Sequence, residues 1–116
     1  MFLAEDGIVR VMQLPGVDLT LEDAHEVFAA YLKICQDKRR PLMIDVRKMR
    51  SFARDARHFL SSKETASLVC AIAMILDTPL SRVLGNSYLG LSNPQLPTRL
   101  FTSEDKALEW LKGYIE

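Results

Sequence analysis

The sequence predicts an α/β domain with a mixed, mostly parallel sheet, an antiparallel hairpin at its N-terminal end and four main helices. Apolar segments of strand length alternate with segments in which apolar residues recur every three or four positions. Residues 68–76 form an unbroken apolar run, which is typical of a parallel strand covered by helices on both faces. The connections favour right-handed crossovers, and the 116 residues fit one domain, residues 1–116.

The N-terminal segment carries the pattern of a hairpin. Residues 1–4 are apolar and extended in character, and the Glu-Asp-Gly sequence at 5–7 is a turn signal. Residues 8–14 alternate enough to form the returning strand. A Pro-Gly pair at 15–16 then breaks the chain.

The first helix is predicted over residues 21–36, because its apolar side chains share one face. Thr20 and Asp23 have the spacing of a capping box, in which both side chains satisfy free N–H groups of the first turn. The basic run 38–40 follows, where positive charge complements the negative pole of the helix. We expect this run to be a solvated helix end.

The middle of the chain predicts a strand and a helix. Residues 42–46 are apolar and short, as in a buried strand. Ser51 is a candidate N-cap for a helix whose apolar positions run from Phe52 to Leu60. Residues 63–67 then predict one further helical turn.

After the apolar run, Asp77 or Thr78 is placed to cap a third main helix. Pro79 lies in its first turn, where a missing N–H costs nothing, and Gly90 is a candidate stop. The polar and proline-rich residues 92–97 predict a loop.

The C-terminal segment predicts a last strand and a last helix. Residues 98–101 form the strand, and Thr102 with Asp105 repeats the capping-box spacing. Apolar positions between 107 and 115 then follow the helical period.

Composition gives no support for nucleic acid binding or for a membrane span. The chain has 15 Lys and Arg against 15 Asp and Glu, so its net charge gives no argument for nucleic acid binding. The first residues, MFLAED, have no basic targeting pattern, and the longest apolar run is far shorter than a membrane span. We therefore expect a cytoplasmic protein.

No motif predicts a metal, a cofactor or a catalytic centre. Cys35 and Cys70 fall in apolar patterns without neighbouring ligands, so they are interpreted as core residues. His25 and His58 lie on the predicted outward faces of their helices. With only 5 glycines and no P-loop or dinucleotide fingerprint, the sequence predicts no enzyme and no cofactor.

The whole pattern resembles the STAS superfamily, the fold of sulfate-transporter cytoplasmic domains and anti-sigma-factor antagonists. More closely, it is similar to small stand-alone bacterial STAS-like proteins of unknown function. The resemblance is carried by six segments, namely residues 5–7, 40–47, 56–57, 77–82, 97–102 and 107–111. It implies the fold and a regulatory role, but none of these segments is a catalytic signature.

The chain departs from the antagonist pattern at the phosphorylated position. In that family a phosphorylatable Ser stands at the start of the helix after the second core strand. Aligning forward from Asp45 places Arg54 or Asp55 there, so the phosphoswitch is not carried over. Ser51 is the nearest hydroxyl, and an N-cap role is favoured for it over phosphorylation.

The predicted binding site lies beyond the carboxyl ends of the strands, where ligands bind in open α/β sheets. Its candidate residues are Asp45, Arg47, Arg54, Arg57, Asp77, Thr78, Ser81 and Thr102. With Lys48 and Arg50, the arginines gather basic charge that suits an anionic ligand or an acidic partner surface. The favoured alternative is a solvated face paired with nearby carboxylates.

These observations predict a non-enzymatic regulatory or scaffolding module that binds a protein partner or a small ligand. The alternative is a small-molecule or lipid carrier with a pocket near residues 88–97. Residues 81–96 contain apolar side chains that favour protein contact over membrane association. Membrane association and a homodimer both stay open.

Overall fold

The computed structural model describes residues 2–12, 16, 18–35, 38–47, 50–60, 62–76 and 96–115. The elements in chain order are β1 (Phe2–Leu3), β2 (Val9–Met12), β3 (Asp18–Leu19), α1 (Leu21–Ile34), β4 (Arg40–Asp45), β5 (Ser51–Phe52), α2 (Arg54–Leu60), α3 (Lys63–Ala66), β6 (Val69–Ile75), β7 (Thr98–Phe101) and α4 (Glu104–Lys112). The described residues form three main helices and the single turn α3, whereas the sequence predicts four main helices. The predicted helix that begins at 77 or 78 lies outside the described residues.

Five strands form the main sheet, in the order β1-β2-β4-β6-β7. β1 runs antiparallel to β2, and the other neighbours are parallel. The predicted mixed sheet and its N-terminal hairpin are therefore confirmed. Gly7 lies in the hairpin turn with a φ of 84°, which glycine adopts without the steric cost that a side chain would add.

A second sheet of two short parallel strands, β3 and β5, lies apart from the main sheet. Asp18 pairs with Ser51, and Leu19 pairs with Phe52. Each of these strands has two residues, too few for a periodic pattern to indicate them in the sequence.

Helices cover both faces of the main sheet. All seven residues of β6 are buried, which confirms that the central apolar run is a covered parallel strand. Ile72 and Met74 pack in the core on the side of α1 and α2, whereas Ala73 and Ile75 pack in the core with α4. The opposite placement of neighbouring residues is the period of two expected of a strand.

α1 begins as the sequence predicts. Thr20 Oγ1 accepts a hydrogen bond from the Asp23 N–H at 3.2 Å, and the Asp23 carboxylate accepts one from the Thr20 N–H at 3.1 Å. The helix ends at Ile34, two residues before the predicted end, and Cys35 is its C-cap.

Two predicted helix caps are wrong. Ser51 lies in β5, and α2 begins three residues later at Arg54. Thr102 lies one residue before the observed cap, because Phe101 still pairs with Ile75 and Ser103 accepts the hydrogen bond from the Lys106 N–H. In both places strand pairing with a distant segment moves the start of the helix.

Within the described ranges, no helix is both long enough and apolar enough to cross a membrane.

Candidate functional site

The candidate site lies at the carboxyl end of the main sheet, where β4 ends in Asp45. The Asp45 side chain is mostly buried. Arg47 Nη2 lies 2.6 Å from Asp45 Oδ2, and Arg47 Nε lies 3.0 Å from Oδ1. The Arg47 backbone N–H also donates to Oδ1 at 3.1 Å. The planar guanidinium and the carboxylate thus meet side by side, a geometry that fixes the orientation of both groups.

A second ion pair joins the two short strands at the same end of the molecule. Arg50 Nε donates to Asp18 Oδ1 at 2.9 Å, and Arg50 Nη2 pairs with Oδ2. Ser51 Oγ donates to Asp18 Oδ1 at 2.6 Å. These hydrogen bonds, with that from Arg50 the largest effect, hold the pKa of Asp18 well below its usual range.

Met12 adds an apolar group to this surface. It is the last residue of β2, lies opposite Asp45 in the strand register and is 65% exposed. The exposed side of the site therefore combines a methionine with two arginines, Arg47 and Arg50, whose side chains are 39% and 69% exposed. We call Met12, Asp18, Asp45, Arg47 and Arg50 the carboxyl-end surface.

The structure brings some of the predicted site residues together and separates others. Arg54 begins α2 just after β5 and is exposed at the margin of the carboxyl-end surface. Thr102 is exposed after β7, two strands away from Asp45, which is about 10 Å at the usual strand spacing. Asp77, Thr78, Ser81 and the side chain of Arg57 lie outside the described residues.

Sequence reasoning missed Asp18 and Met12. The signal for Asp18 was weak, because its partner Arg50 lies 32 residues further along the chain. Met12 was interpreted as part of a strand, and only the end of the β2 and β4 pairing shows that its side chain is exposed.

The carboxylates of this surface are held by hydrogen bonds from arginines. Both oxygens of Asp45 accept hydrogen bonds from Arg47, and both oxygens of Asp18 are engaged by Arg50. Because its pKa is lowered, the Asp18 carboxylate is a weak base, unlike the base of a general acid–base pair. Among the described residues, no three side chains of His, Cys, Asp or Glu are grouped to hold a metal ion.

The amino end of the same sheet carries a different polar cluster, centred on Tyr31. The Tyr31 hydroxyl donates to the Leu68 carbonyl oxygen at 2.7 Å and accepts from the Arg40 N–H at 3.0 Å. Burial raises the pKa of Tyr31 to about 12. The hydroxyl thereby joins α1 to the starts of β4 and β6.

The basic run at the end of α1 also belongs to this cluster. Arg39 Nη2 donates to the Ala66 carbonyl oxygen at 3.0 Å, and Arg40 Nε donates to the Cys35 carbonyl oxygen at 2.9 Å. The prediction of a wholly solvated run is therefore wrong for these two arginines, since their guanidinium groups bind backbone carbonyls.

The fold is α/β and STAS-like, and the comparison with one solved structure agrees with it. An uncharacterised protein of the DUF3478 family from Shewanella loihica PV-4, with a SpoIIAA-like fold, has a TM-score of 0.52 and 15% sequence identity, over 90% of this chain and 78% of the other. The SpoIIAA-like fold is of the STAS type, so the predicted resemblance is confirmed for the fold.

The chain belongs to the DUF7793 family, a domain of unknown function, whose model matches residues 2–115. A protein of unknown function from Arthrobacter sp. FB24 is 31% identical, over 94% of this chain and 95% of the other, with a TM-score of 0.36. No curated protein matches.

Proposed function

We propose that this protein is a non-enzymatic regulatory or scaffolding module that binds a protein partner through the carboxyl-end surface. The observation that carries the proposal is an exposed Met12 that lies opposite Asp45 in the strand register, at the end of the sheet where hydrogen bonds orient two arginine–carboxylate pairs. A cytoplasmic location in a bacterial cell is part of the proposal and rests on the STAS resemblance.

The composition of the carboxyl-end surface supports a protein partner. Methionine and arginine are enriched in protein–protein interfaces, where an apolar centre is surrounded by polar groups. Met12 supplies a flexible apolar contact, and Arg47 and Arg50 supply exposed donors at the same end of the sheet. Because carboxylates already orient both arginines, less side-chain entropy is lost when a partner binds.

The same ion pairs disfavour a small anion as the ligand here. Each arginine on this surface has its charge balanced by an aspartate within hydrogen-bonding distance. A phosphate or carboxylate ligand would have to displace that aspartate or approach a nearly neutral pair. A partner protein needs no such displacement, since it can use the exposed edges of both arginines.

The carboxylates of Asp45 and Asp18 are both engaged by arginines, and this supports a non-enzymatic function. The alternative of a carrier with a pocket near residues 88–97 falls on residues that, apart from Leu96 and Pro97, lie outside the described part of the chain. Leu96 itself is buried in the core.

The test is quantitative affinity capture with the tagged full chain from a lysate of its own cells. We expect Met12→Glu to lower recovery of a specific partner at least tenfold, as for an interface hot spot. Ile115→Glu is the matched control, because Ile115 is an exposed apolar residue after α4, and it should leave recovery unchanged. Equal recovery with both variants, or no specific partner with the unmodified chain, would contradict the proposal.

A further inference from the structure

A depression opens between α1 and the segment formed by α2 and α3. Its volume is about 320 Å³, and its lining residues are His25, Phe28, Ala29, Leu32, Phe59 and Glu64. We call it the aromatic depression. Its volume lies at the lower end of the range of about 300–1,000 Å³ that is usual for small-molecule sites. None of these residues belongs to the carboxyl-end surface, so the two sites are separate.

One side of α1 forms a wall of the aromatic depression. Its four lining residues, from His25 to Leu32, are spaced three, one and three positions apart, which places them on one face of the helix. Ala29 is exposed, and Leu32 is 42% exposed. A ligand that covers this wall therefore removes apolar surface from water, which favours binding.

Three aromatic rings line the aromatic depression. The centroid of the Phe59 ring lies 4.4 Å from that of His25, with 65° between the ring planes. It lies 5.5 Å from the centroid of Phe28, with 81° between the planes. Rings that meet at such steep angles form the corner of a box rather than a stack. Boxes of this kind bind organic cations, because the faces of aromatic rings carry partial negative charge.

Glu64 adds a full negative charge to the lining. Its side chain is exposed, and among the described residues no side chain forms a hydrogen bond or an ion pair with its carboxylate. None of the described lining residues is a lysine or an arginine. The charge of Glu64 is therefore screened by water and salt rather than cancelled by a partner, and it favours a cationic ligand.

The lining also distinguishes between kinds of cation. A primary ammonium group has three N–H donors, whereas the described lining side chains offer one imidazole and one carboxylate as acceptors. A quaternary ammonium group has no N–H donor, and its methyl groups suit aromatic and apolar walls. Glu64 would repel the phosphate that accompanies such a group in a phospholipid, as well as the carboxylate of a zwitterion.

We propose that the aromatic depression binds a small, free quaternary ammonium compound that carries no negative group. Its trimethylammonium group lies against the rings of Phe59 and His25, and the carboxylate of Glu64 faces its positive charge. The rest of the compound covers Ala29 and Leu32. This site does not depend on the proposed partner surface, so either proposal can fail without the other.

The test is a titration of the ¹⁵N-labelled full chain with choline at constant ionic strength, followed by amide chemical shifts. The titration is made at pH 8, where imidazole groups of ordinary pKa are neutral. We expect saturable shifts confined to residues 25–32 and to the neighbourhoods of Phe59 and Glu64.

Two matched probes separate the charge from the methyl groups. The compound 3,3-dimethyl-1-butanol has the shape of choline without its charge, and ethanolamine has the charge without the methyl groups. Both should bind about fivefold more weakly than choline, or weaker still, because each lacks one of the two features that the lining recognises.

Two variants separate the carboxylate from the ring. Glu64→Gln removes the charge, and Phe59→Leu removes the ring but keeps an apolar side chain. Each should weaken choline binding about threefold or more. Glu26→Gln and Phe101→Leu are the matched controls, because Glu26 is exposed on α1 without lining the depression and Phe101 packs with α4 on the other face of the sheet. Both controls should bind as the unmodified chain does.

Four results would overturn the proposal. The first is the absence of saturable shifts with choline, and the second is equal binding of either matched probe. The third is an effect of Glu64→Gln or Phe59→Leu no larger than that of its control. The fourth is co-sedimentation with phosphatidylcholine vesicles that Phe59→Leu abolishes, since it would replace the free compound with a lipid headgroup. Far-UV circular dichroism of each variant confirms that the fold is retained before binding is measured.

Discussion

The two ends of the sheet use arginine in different ways. At the carboxyl end, Arg47 and Arg50 bind the side chains of Asp45 and Asp18. At the amino end, Arg39 and Arg40 bind backbone carbonyls, and Tyr31 joins three elements through one buried hydroxyl.

This difference shows that burial decides what a polar contact contributes to stability. A buried donor or acceptor that loses its partner costs its full desolvation free energy, whereas an exposed one returns to water. The amino end should therefore stabilise the fold, and the outer part of the carboxyl end should be available for recognition. Three substitutions test this contrast, in decreasing order of expected effect.

Tyr31→Phe should have the largest effect. It leaves the Leu68 carbonyl and the Arg40 N–H without the hydroxyl that now bonds both. We expect the free energy of unfolding, measured with urea at pH 7, to fall by about 2–3 kcal/mol. Tyr114→Phe is the matched control, because Tyr114 is only half-buried beside Trp110, and it should cost much less. Equal losses for the two variants would contradict a special role for the Tyr31 hydroxyl.

The same hydroxyl predicts a dependence on alkaline pH. The pKa of Tyr31 is about 12 in the folded protein against an ordinary value of 10.0, so the neutral form is favoured by folding. Its contribution to stability is complete below pH 10 and is lost as the pH rises through about 12. Urea unfolding between pH 9 and 12 should show this loss in the unmodified chain and not in Tyr31→Phe.

Asp45→Asn should have an intermediate effect. Asp45 is mostly buried, and its charge is compensated by the Arg47 guanidinium. The amide keeps the shape but cannot accept from Arg47 on both sides, so we expect a loss of about 1–2 kcal/mol in urea unfolding at pH 7. Asp18→Asn is the matched change at the same end of the sheet. A smaller effect for Asp45→Asn than for Asp18→Asn would reverse the proposed order.

Asp18→Asn should have the smallest effect, because solvent and salt screen an exposed pair. The pKa of Asp18 is lowered in the folded protein, so its contribution is present above its ordinary value of 3.8 and is lost as the pH falls below it. Any difference from the unmodified chain in 10 mM salt should therefore shrink below pH 3.8 and also in 1 M salt. A difference that persists in 1 M salt would show that the pair acts as a buried one.

The sequence predicted the fold where the signal was local. The capping box of Thr20 and Asp23 spans four residues, and the apolar run 68–76 spans one strand, and both predictions hold. The prediction failed at Ser51 and at Thr102, where a hydroxyl suited to a cap is placed by strand pairing instead.

For the candidate site, the sequence identified the end of β4 but not the surface around it. Asp45 and Arg47 are two residues apart, so the local sequence can indicate their pairing. Asp18 and Arg50 come together only because β3 and β5 pair, and neither short strand carries a period of its own.

The sequence by itself determined the order of the main-sheet strands along the chain, the buried central strand and the beginning of α1. These features depend on hydrophobic periodicity and on hydrogen bonds between residues three or four apart. Only the tertiary structure decided that Asp18 meets Arg50 and that Met12 is exposed. Those contacts join residues from separate elements, and no local pattern encodes the distance between such elements.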